Sequence, residues 1–165
     1  MNGRHNFDSV VGEINEKGKA FFYTKGRSML PMLKEGREIS VLVPPARELK
    51  RGDVVLFVRR AKDNELVLHR IIKARGDSFI IRGDNTYFDE PVLREDILAL
   101  LDGFFRKGRF YSCEKSVRYR VYSALRMFFY PLRKLVRKHL RAALAKVKNN
   151  VLHLNNFHLD DILHR

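Results

Sequence analysis

The sequence predicts a mainly β protein: a bent antiparallel sheet or partial barrel, followed by a basic amphipathic helical extension. Five or more short apolar runs lie between residues 20 and 103, separated by Gly, Pro and polar turns about every 8–12 residues, a spacing typical of all-β domains. Near residue 116 the pattern changes to apolar residues three and four positions apart among many basic ones. We therefore divide the chain into an N-terminal short helix or arm (1–19), a β domain (20–112) and a helical extension (113–165).

A short amphipathic helix is predicted ahead of the sheet, over residues 7–17, with one apolar face formed by Phe7, Val10, Val11 and Ile14. The strands are predicted from apolar runs that end at Gly, Pro or charged turns: KAFFYTK, EISVLV, VVLFVRR, ELVLHRIIKAR and FIIRGD. The polar sequence KDNE at 62–65 predicts a hairpin between the third and fourth runs. LREDILALLDGFF is predicted as a short helical turn or a last strand.

The segment 116–148 is predicted to be a basic amphipathic helix that Pro131 breaks or kinks near Tyr130. Its apolar stripe consists of Leu132, Leu135, Val136, Leu140, Leu144 and Val147. Three interpretations stay open. The stripe packs on the β core, or it lies on a membrane surface, or the basic residues contact nucleic acid. Nucleic acid is the least favoured partner, because the segment contains no recognised DNA-binding motif.

Charge is distributed unevenly along the chain. The formal net charge is +14, and residues 104–165 contain 15 Lys and Arg against 3 Asp and Glu, whereas residues 1–103 contain 18 against 16. This excess predicts a surface for acidic partners, nucleic acid or anionic lipid, in the C-terminal third.

The single cysteine, Cys113, excludes an internal disulfide and is typical of a reducing cytosol. The polar N-terminus contains no apolar signal segment, and no run of about 18 apolar residues predicts a membrane-spanning helix. We expect a cytoplasmic protein, with peripheral contact at the inner face of the membrane as an open alternative.

A serine, a histidine and two aspartates in the β region are candidates for acyl-transfer chemistry. Ser28 follows the first predicted strand at a bend between Gly26 and Pro31, and His69 lies on a later strand. Histidine suits a general base because its usual pKa, about 6.5, is near neutrality. Asp84 or Asp89, after the fifth apolar run, could orient the base, which completes the ingredients of a nucleophilic dyad or triad.

Four sequence blocks in order carry a resemblance to a known family: GRSMLPML, LKRGDVVLF, VLHRII and IIRGDNTYFDE. Across residues 20–103 the chain resembles type I signal peptidases and the related self-cleaving repressors. The bacterial leader-peptidase type and the repressors use a lysine base. His69 followed by Arg70 resembles instead the histidine type of the endoplasmic reticulum, archaea and some spore-forming bacteria.

The resemblance implies Ser28 as nucleophile, His69 as general base and Asp84 or Asp89 as the orienting acid. It also implies that the Ser28 backbone N–H and Gly26 form the oxyanion site, and that no metal or organic cofactor is needed. An extended substrate is expected to add a strand to an exposed edge at KAFFYTK. The expected substrate contacts are Phe22, Tyr23, Thr24, Met29 and Pro31.

Three features depart from the family pattern: Gly26 lacks the hydroxyl often found there, Arg37 follows Gly36 where the family usually has Asp, and no membrane anchor is predicted before Ser28. We predict a serine endopeptidase of the signal-peptidase type that cleaves leader or signal-like segments through an acyl-enzyme. The alternative is a catalytically degenerate peptidase-fold module that binds anionic membrane or nucleic acid through its basic helix. A self-cleaving regulator is less favoured, because no Ala-Gly or Cys-Gly precedes Ser28.

Two further groups of side chains are predicted to have no catalytic or metal-binding role. Lys73, four residues after His69, is predicted to be a solvated surface lysine. His153, His158 and His164 lack the spacing of a helical metal pair, so no metal site is predicted.

Overall fold

The computed structural model of the chain describes residues 7–60, 64–140 and 142–145, with side chains described from residue 9 onward. It contains eight strands and three helices in that part of the chain. Their order is α1 (Phe7–Lys17), β1 (Ala20–Tyr23), β2 (Glu38–Val43), β3 (Val54–Arg59), β4 (Glu65–Arg75), β5 (Ser78–Arg82), β6 (Glu90–Leu93), β7 (Ile97–Arg106), β8 (Arg109–Ser112), α2 (Val117–Phe128) and α3 (130–140). A 3₁₀ turn, Arg94–Asp96, joins β6 to β7.

All eight strands belong to one antiparallel sheet in the order β1-β2-β7-β3-β4-β5-β6, with β8 paired to β7. The sheet is not closed into a barrel: within the described strands, β1 pairs only with β2 and β6 only with β5. Register shifts in the β2–β7, β3–β7 and β4–β5 pairs mark irregularities, and such bulges bend strands. The predicted fold class, a mainly β bent antiparallel sheet, is confirmed.

The hairpin β3–β4 divides the core into two apolar clusters, because successive side chains of a strand point to opposite faces. Even-numbered residues such as Leu56 and Leu68 pack with Val10 and Ile14 of α1 in the first cluster. Odd-numbered residues such as Phe57, Val67 and Ile71 pack in the second, with Phe79 and Ile81 of β5. The side chains of His69 and Arg70 therefore point to opposite faces of the sheet.

Most predicted elements appear in the structure. The helix over 7–17 and the five strands are present, and LREDILALLDGFF forms both a 3₁₀ turn and a strand, β7. The strands β6 and β8 were not predicted, because each has only four residues and β6 contains Pro91. Residues 62 and 63 of the predicted hairpin turn lie outside the described residues, although β3 and β4 pair as predicted.

The chain divides into two compact units, Met1–Met127 and Phe128–Arg165. The first contains the sheet, α1 and α2 as far as Met127. In the second, residue 129 is not helical and α3 begins at residue 130, so the predicted break at Pro131 is confirmed. Within the described residues, no helix is both long and apolar enough to cross a membrane.

Candidate active site

Ser28 lies in a compact turn that follows the edge strand β1. Gly26 adopts φ +78°, a left-handed conformation that favours glycine, and the Leu33 N–H donates to the Met29 carbonyl at 3.0 Å. The Leu30–Pro31 peptide bond is cis. Met29 and Leu33 are fully buried in the first core cluster, whereas Ser28 is only partly buried. The buried neighbours anchor the turn, and Ser28 stays accessible.

A second turn, residues 83–86, holds the backbone on both sides of the Ser28 side chain. The Asn85 N–H donates to the Ser28 carbonyl at 2.6 Å, and Asn85 Nδ2 donates to the Arg27 carbonyl at 3.1 Å. The sequence singled out Gly83-Asp84-Asn85 for the carboxylate of Asp84. In the structure, the amide groups of Asn85 contact the serine turn directly.

Gly83 is the point at which Ser28 and His69 meet. A Cβ atom on Gly83 would lie 2.8 Å from His69 Nε2 and 2.8 Å from the Ser28 carbonyl oxygen. Those two atoms are therefore separated by no more than twice that distance. Both contacts are far too short for a real side chain, so this position requires glycine. Gly83 has no reactive side chain. In the sequence, only its position directly before Asp84 could have drawn attention to it.

The hydroxyl and the backbone N–H of Ser28 make no hydrogen bond to any described residue. A free hydroxyl can turn toward a base, and a free N–H can donate to an oxyanion. By contrast, the N–H of Gly26 donates to Glu35 Oε2 at 3.1 Å. Of these two N–H groups, that of Gly26 is occupied and that of Ser28 is unoccupied within the described residues.

His69 is buried on β4, and its other ring nitrogen faces a carboxylate that the sequence did not single out. Nδ1 lies 3.2 Å from Glu90 Oε1, and the imidazole is 3% exposed. The alignment is not that of a straight hydrogen bond, but neither atom has any other hydrogen-bond partner among the described residues. Each of these two buried atoms therefore has only the other as a possible hydrogen-bond partner. Buried polar atoms usually have a partner, so the contact matters for this site.

Glu90 is ionised in this setting. Burial alone would raise the pKa of Glu90, but His69 and Arg59 lower it below its usual value. Arg59 at the end of β3 donates to Glu90 Oε2 from Nε at 2.8 Å and from Nη2 at 2.5 Å. Glu90 stands opposite Ile81 in the β5–β6 pair. No local pattern predicted it, since β6 is short and Arg59 is distant in sequence.

Asp84 lies close to the serine turn, and Arg70 binds its carboxylate. Nε and Nη2 of Arg70 each donate to one oxygen of Asp84 at 2.8 Å, and both side chains are at most 3% exposed. The Tyr122 hydroxyl adds a third bond at 3.0 Å. Burial would raise the pKa of Asp84, but Arg70, Tyr122 and Arg126 hold it below its usual value. Asp84 is thus a charged member of a buried network.

Arg70 extends that network to α2. Burial would lower the pKa of Arg70, but Asp84 raises it well above its usual value. Nη1 of Arg70 donates to Gly52 O at 2.8 Å and to Ser123 Oγ at 2.7 Å. Arg126, one turn further along α2, donates to the backbone carbonyl of Asp84 and, at 3.4 Å, to that of Leu30. Helix α2 therefore holds both turns that surround Ser28.

Asp89 forms an ion pair with Arg82. Its Oδ1 accepts a hydrogen bond from Arg82 Nε at 2.5 Å, and the Asp89 side chain is 47% exposed. The sequence left Asp84 and Asp89 open as the acid that orients His69. In the structure both carboxylates bind arginine, and Glu90, next to Asp89 in the chain, faces the imidazole.

The residues expected to contact substrate divide into buried and exposed groups. Phe22, Thr24 and Met29 are buried, and Thr24 shares a 3.5 Å hydrogen bond with Ser40. Tyr23 is 52% exposed, and Pro31 is exposed at the surface. The exposed residues lie on or just after β1, an edge strand of the sheet.

The remaining side chains considered from the sequence are Cys113, Lys73 and three C-terminal histidines. Burial raises the pKa of the Cys113 thiol to about 12, so it is protonated and a poor nucleophile at neutral pH. Lys73 is exposed on β4. His153, His158 and His164 lie outside the described residues. The described part of the chain contains no group of His, Cys, Asp and Glu side chains that could hold a metal ion.

An accessible serine beside a buried histidine, whose second nitrogen faces a carboxylate, defines a candidate site of the serine hydrolase class. The model of the signal peptidase family, peptidase S26, matches residues 19–119, and the chain belongs to this family. The match covers all eight strands and the first residues of α2. No curated protein matches the chain at a significant level.

Proposed function

We propose that this chain is a serine endopeptidase of the signal-peptidase type in which Ser28, His69 and Glu90 act together. The single observation that carries the proposal is the convergence at Gly83, where His69 Nε2 and the Ser28 backbone approach the same point. The remote nitrogen of the same ring faces Glu90. One ring nitrogen can therefore serve the serine while the other is held by a carboxylate.

The proposed reaction needs one particular tautomer of His69, with Nδ1 protonated and Nε2 free to accept a proton. The charge of Glu90 favours it, because a carboxylate accepts a hydrogen bond from Nδ1–H and cannot donate one. As the Ser28 hydroxyl attacks a peptide carbonyl, its proton passes to Nε2, and Glu90 stabilises the resulting imidazolium. The proposal thus gives Glu90 the role for which the sequence left Asp84 and Asp89 open.

The remaining steps follow from the same groups. The attacked carbonyl oxygen becomes an oxyanion, and the unoccupied Ser28 N–H is a donor for it. His69 then returns its proton to the leaving amine, which leaves an acyl group on Ser28. Water attacks the acyl group and gives a proton to His69, which passes it to the Ser28 oxygen as the acyl C–O bond breaks, so that the acid product and free Ser28 are released.

Arg70 and Asp84 are proposed as positioning residues. Their buried pair is joined to α2, and the backbone of Asp84 and Asn85 is in turn bonded to Arg126 and Ser28. The network fixes the turn that carries Gly83. A shift of that turn would alter the separation between Ser28 and His69, and acyl transfer is sensitive to misplacement of about 1 Å.

The proposed substrate is an extended leader or signal-like segment. Within the described strands β1 pairs on one side only, which leaves an edge that an extended peptide can join. Phe21 and Tyr23 are exposed on this strand, at 42% and 52%. The strand leads directly into the serine turn, so a peptide added to it would pass Ser28.

The test is covalent labelling of the full chain with a fluorophosphonate, together with cleavage of extended fluorogenic peptides that carry small residues before the scissile bond. We expect labelling and cleavage by the parent chain, and loss of both in Ser28→Ala and His69→Ala at an unchanged melting temperature. Cys113→Ala is the matched control and should keep both activities. Retained cleavage in Ser28→Ala would contradict the proposal.

The second candidate is a degenerate peptidase-fold module that binds through its basic helix. The observation in its favour is that the Ser28 hydroxyl and His69 are not hydrogen-bonded to each other within the described structure. Catalytic contacts are often long before substrate binds, so this separation is weak support. Failure of the parent chain to label, with the fold intact, would favour the module.

A further inference from the structure

The described part of the second unit exposes a series of large apolar side chains to solvent. Its large apolar side chains are between 44% and 75% exposed: Phe128, Phe129, Leu132, Leu135, Val136, Leu140 and Leu144. Within α3, Leu132, Leu135, Val136 and Leu140 recur three and four positions apart, which places these four on one half of the helix at 3.6 residues per turn. An exposed patch of this kind marks an interaction surface.

The other half of the helix is basic. Arg133, Lys134, Arg137 and Lys138 fill the positions between the apolar residues. Between Glu114 and Asp160 the sequence contains no acidic residue at all. The helix therefore combines an exposed apolar half with a one-sign basic half, the pattern of helices that lie in the plane of a membrane surface.

We propose that the segment 128–145 binds the surface of a membrane that contains anionic lipid. The apolar half would enter the boundary between headgroups and acyl chains, and the basic half would remain among the negatively charged headgroups. This inference is independent of the chemistry at Ser28.

Charge decides between this occupant and two others. A second copy of the helix could cover the apolar half, but it would add charge of the same sign nearby and leave both basic halves without an acidic partner, which is unfavourable. Nucleic acid would complement the basic half but leave the seven exposed apolar side chains without a function. Only an anionic lipid surface is complementary to both halves.

The test is sedimentation of the full chain with vesicles of phosphatidylcholine alone, or of phosphatidylcholine mixed with phosphatidylglycerol. We expect the chain to sediment with the mixed vesicles, weakly with phosphatidylcholine alone, and less as salt is added, because salt screens charged contacts. Equal binding to both vesicle types at every salt concentration would overturn the proposed charge complementarity.

Two double variants test the two halves of the helix. Leu132→Ser/Leu135→Ser removes part of the apolar half, and Lys134→Glu/Lys138→Glu reverses charge on the basic half. Each should weaken partition into the mixed vesicles by about tenfold or more. The matched control Lys73→Glu/Arg75→Glu makes the same charge change at exposed positions of β4 and should bind like the parent chain.

Circular dichroism of each variant separates lost binding from lost helix, and the charge variant tests the proposal even if the serine variant unfolds. The proposal fails if both helix variants bind vesicles like the parent chain. It also fails if the parent binds a nucleic-acid duplex but not the mixed vesicles, or if size exclusion gives a dimer that Leu132→Ser/Leu135→Ser abolishes.

Discussion

Arg59 binds a single oxygen of Glu90 with two of its nitrogens. Nε and Nη2 of Arg59 both donate to Oε2, so that Oε1 is left facing His69. A carboxylate held in this way cannot rotate without losing two charge-assisted bonds, which are stronger than neutral ones. The orientation of the Glu90 carboxylate, whose Oε1 faces His69, is therefore set by a residue at the end of β3.

Glu90→Gln should lower kcat/KM by about 10²–10⁴, because the amide keeps the shape of the side chain but loses the charge that stabilises protonated His69. The measurement is peptide cleavage at pH 7 together with the melting temperature. Asp89→Asn, the same chemical change one residue earlier, is the control and should retain most activity. The reverse ranking of the two variants would assign the orienting role to Asp89 instead.

Arg59→Gln should shift the acid limb of the pH profile of kcat/KM to higher pH. Arg59 is one of the two groups that lower the pKa of Glu90 against the effect of burial, so without it Glu90 would protonate at a higher pH than in the parent chain. In Arg59→Lys the acid limb should lie closer to that of the parent chain, since lysine supplies the positive charge again. Arg60→Gln is the neighbouring control, because Arg60 bonds to Asp96, and an identical shift in that variant would refute the connection to Glu90.

Asp84→Asn should reduce the free energy of unfolding by about 3–5 kcal/mol, since it leaves Arg70 buried without its counter-charge. Urea unfolding at neutral pH measures the loss. Replacing both residues, as Arg70→Met/Asp84→Asn, should cost less than Asp84→Asn alone, because no unpaired charge remains. If the double variant were the less stable of the two, the charge pair would not explain the loss.

The same pair predicts how stability depends on pH. Folding lowers the pKa of Asp84, so its contribution is complete above the unfolded pKa of about 3.9 and is lost as pH falls further, through the lower pKa of the folded state. Urea titrations of the parent chain, from pH 5 down to the lowest pH at which it is folded without urea, should show this decline in the free energy of unfolding. In Asp84→Asn the decline should be smaller.

Gly83→Ala should abolish cleavage, because the added methyl group would lie 2.8 Å from both His69 Nε2 and the Ser28 carbonyl. We expect a fall in kcat/KM of about 10²-fold or more, as for other small displacements of reacting groups. Gly12→Ala in α1 is the control: a Cβ there meets no atom within 4 Å, and activity should be unchanged. Full activity of Gly83→Ala would mean that the convergence at Gly83 does not position the reacting groups.

The sequence predicted the sheet well, because its longer strands are apolar runs with clear turn residues at their ends. The structure adds that His69 and Arg70 point to opposite faces, as adjacent residues of a strand do. The sequence did not reveal Glu90, which depends on the register between β5 and a four-residue strand that contains Pro91. Nor did it reveal the bond from Arg126 to Asp84, which joins residues 42 positions apart.

The contacts of α2 with the two turns around Ser28 set a lower limit on the length of a working enzyme. The family model ends at residue 119, yet Tyr122, Ser123 and Arg126 bind the Arg70–Asp84 pair or the turn beside it. A chain shortened to the boundary of the family would keep every described strand and the proposed reacting groups Ser28, His69 and Glu90. It would lose three of the supports that hold the reacting groups in register, so the smallest active piece should extend to about residue 127.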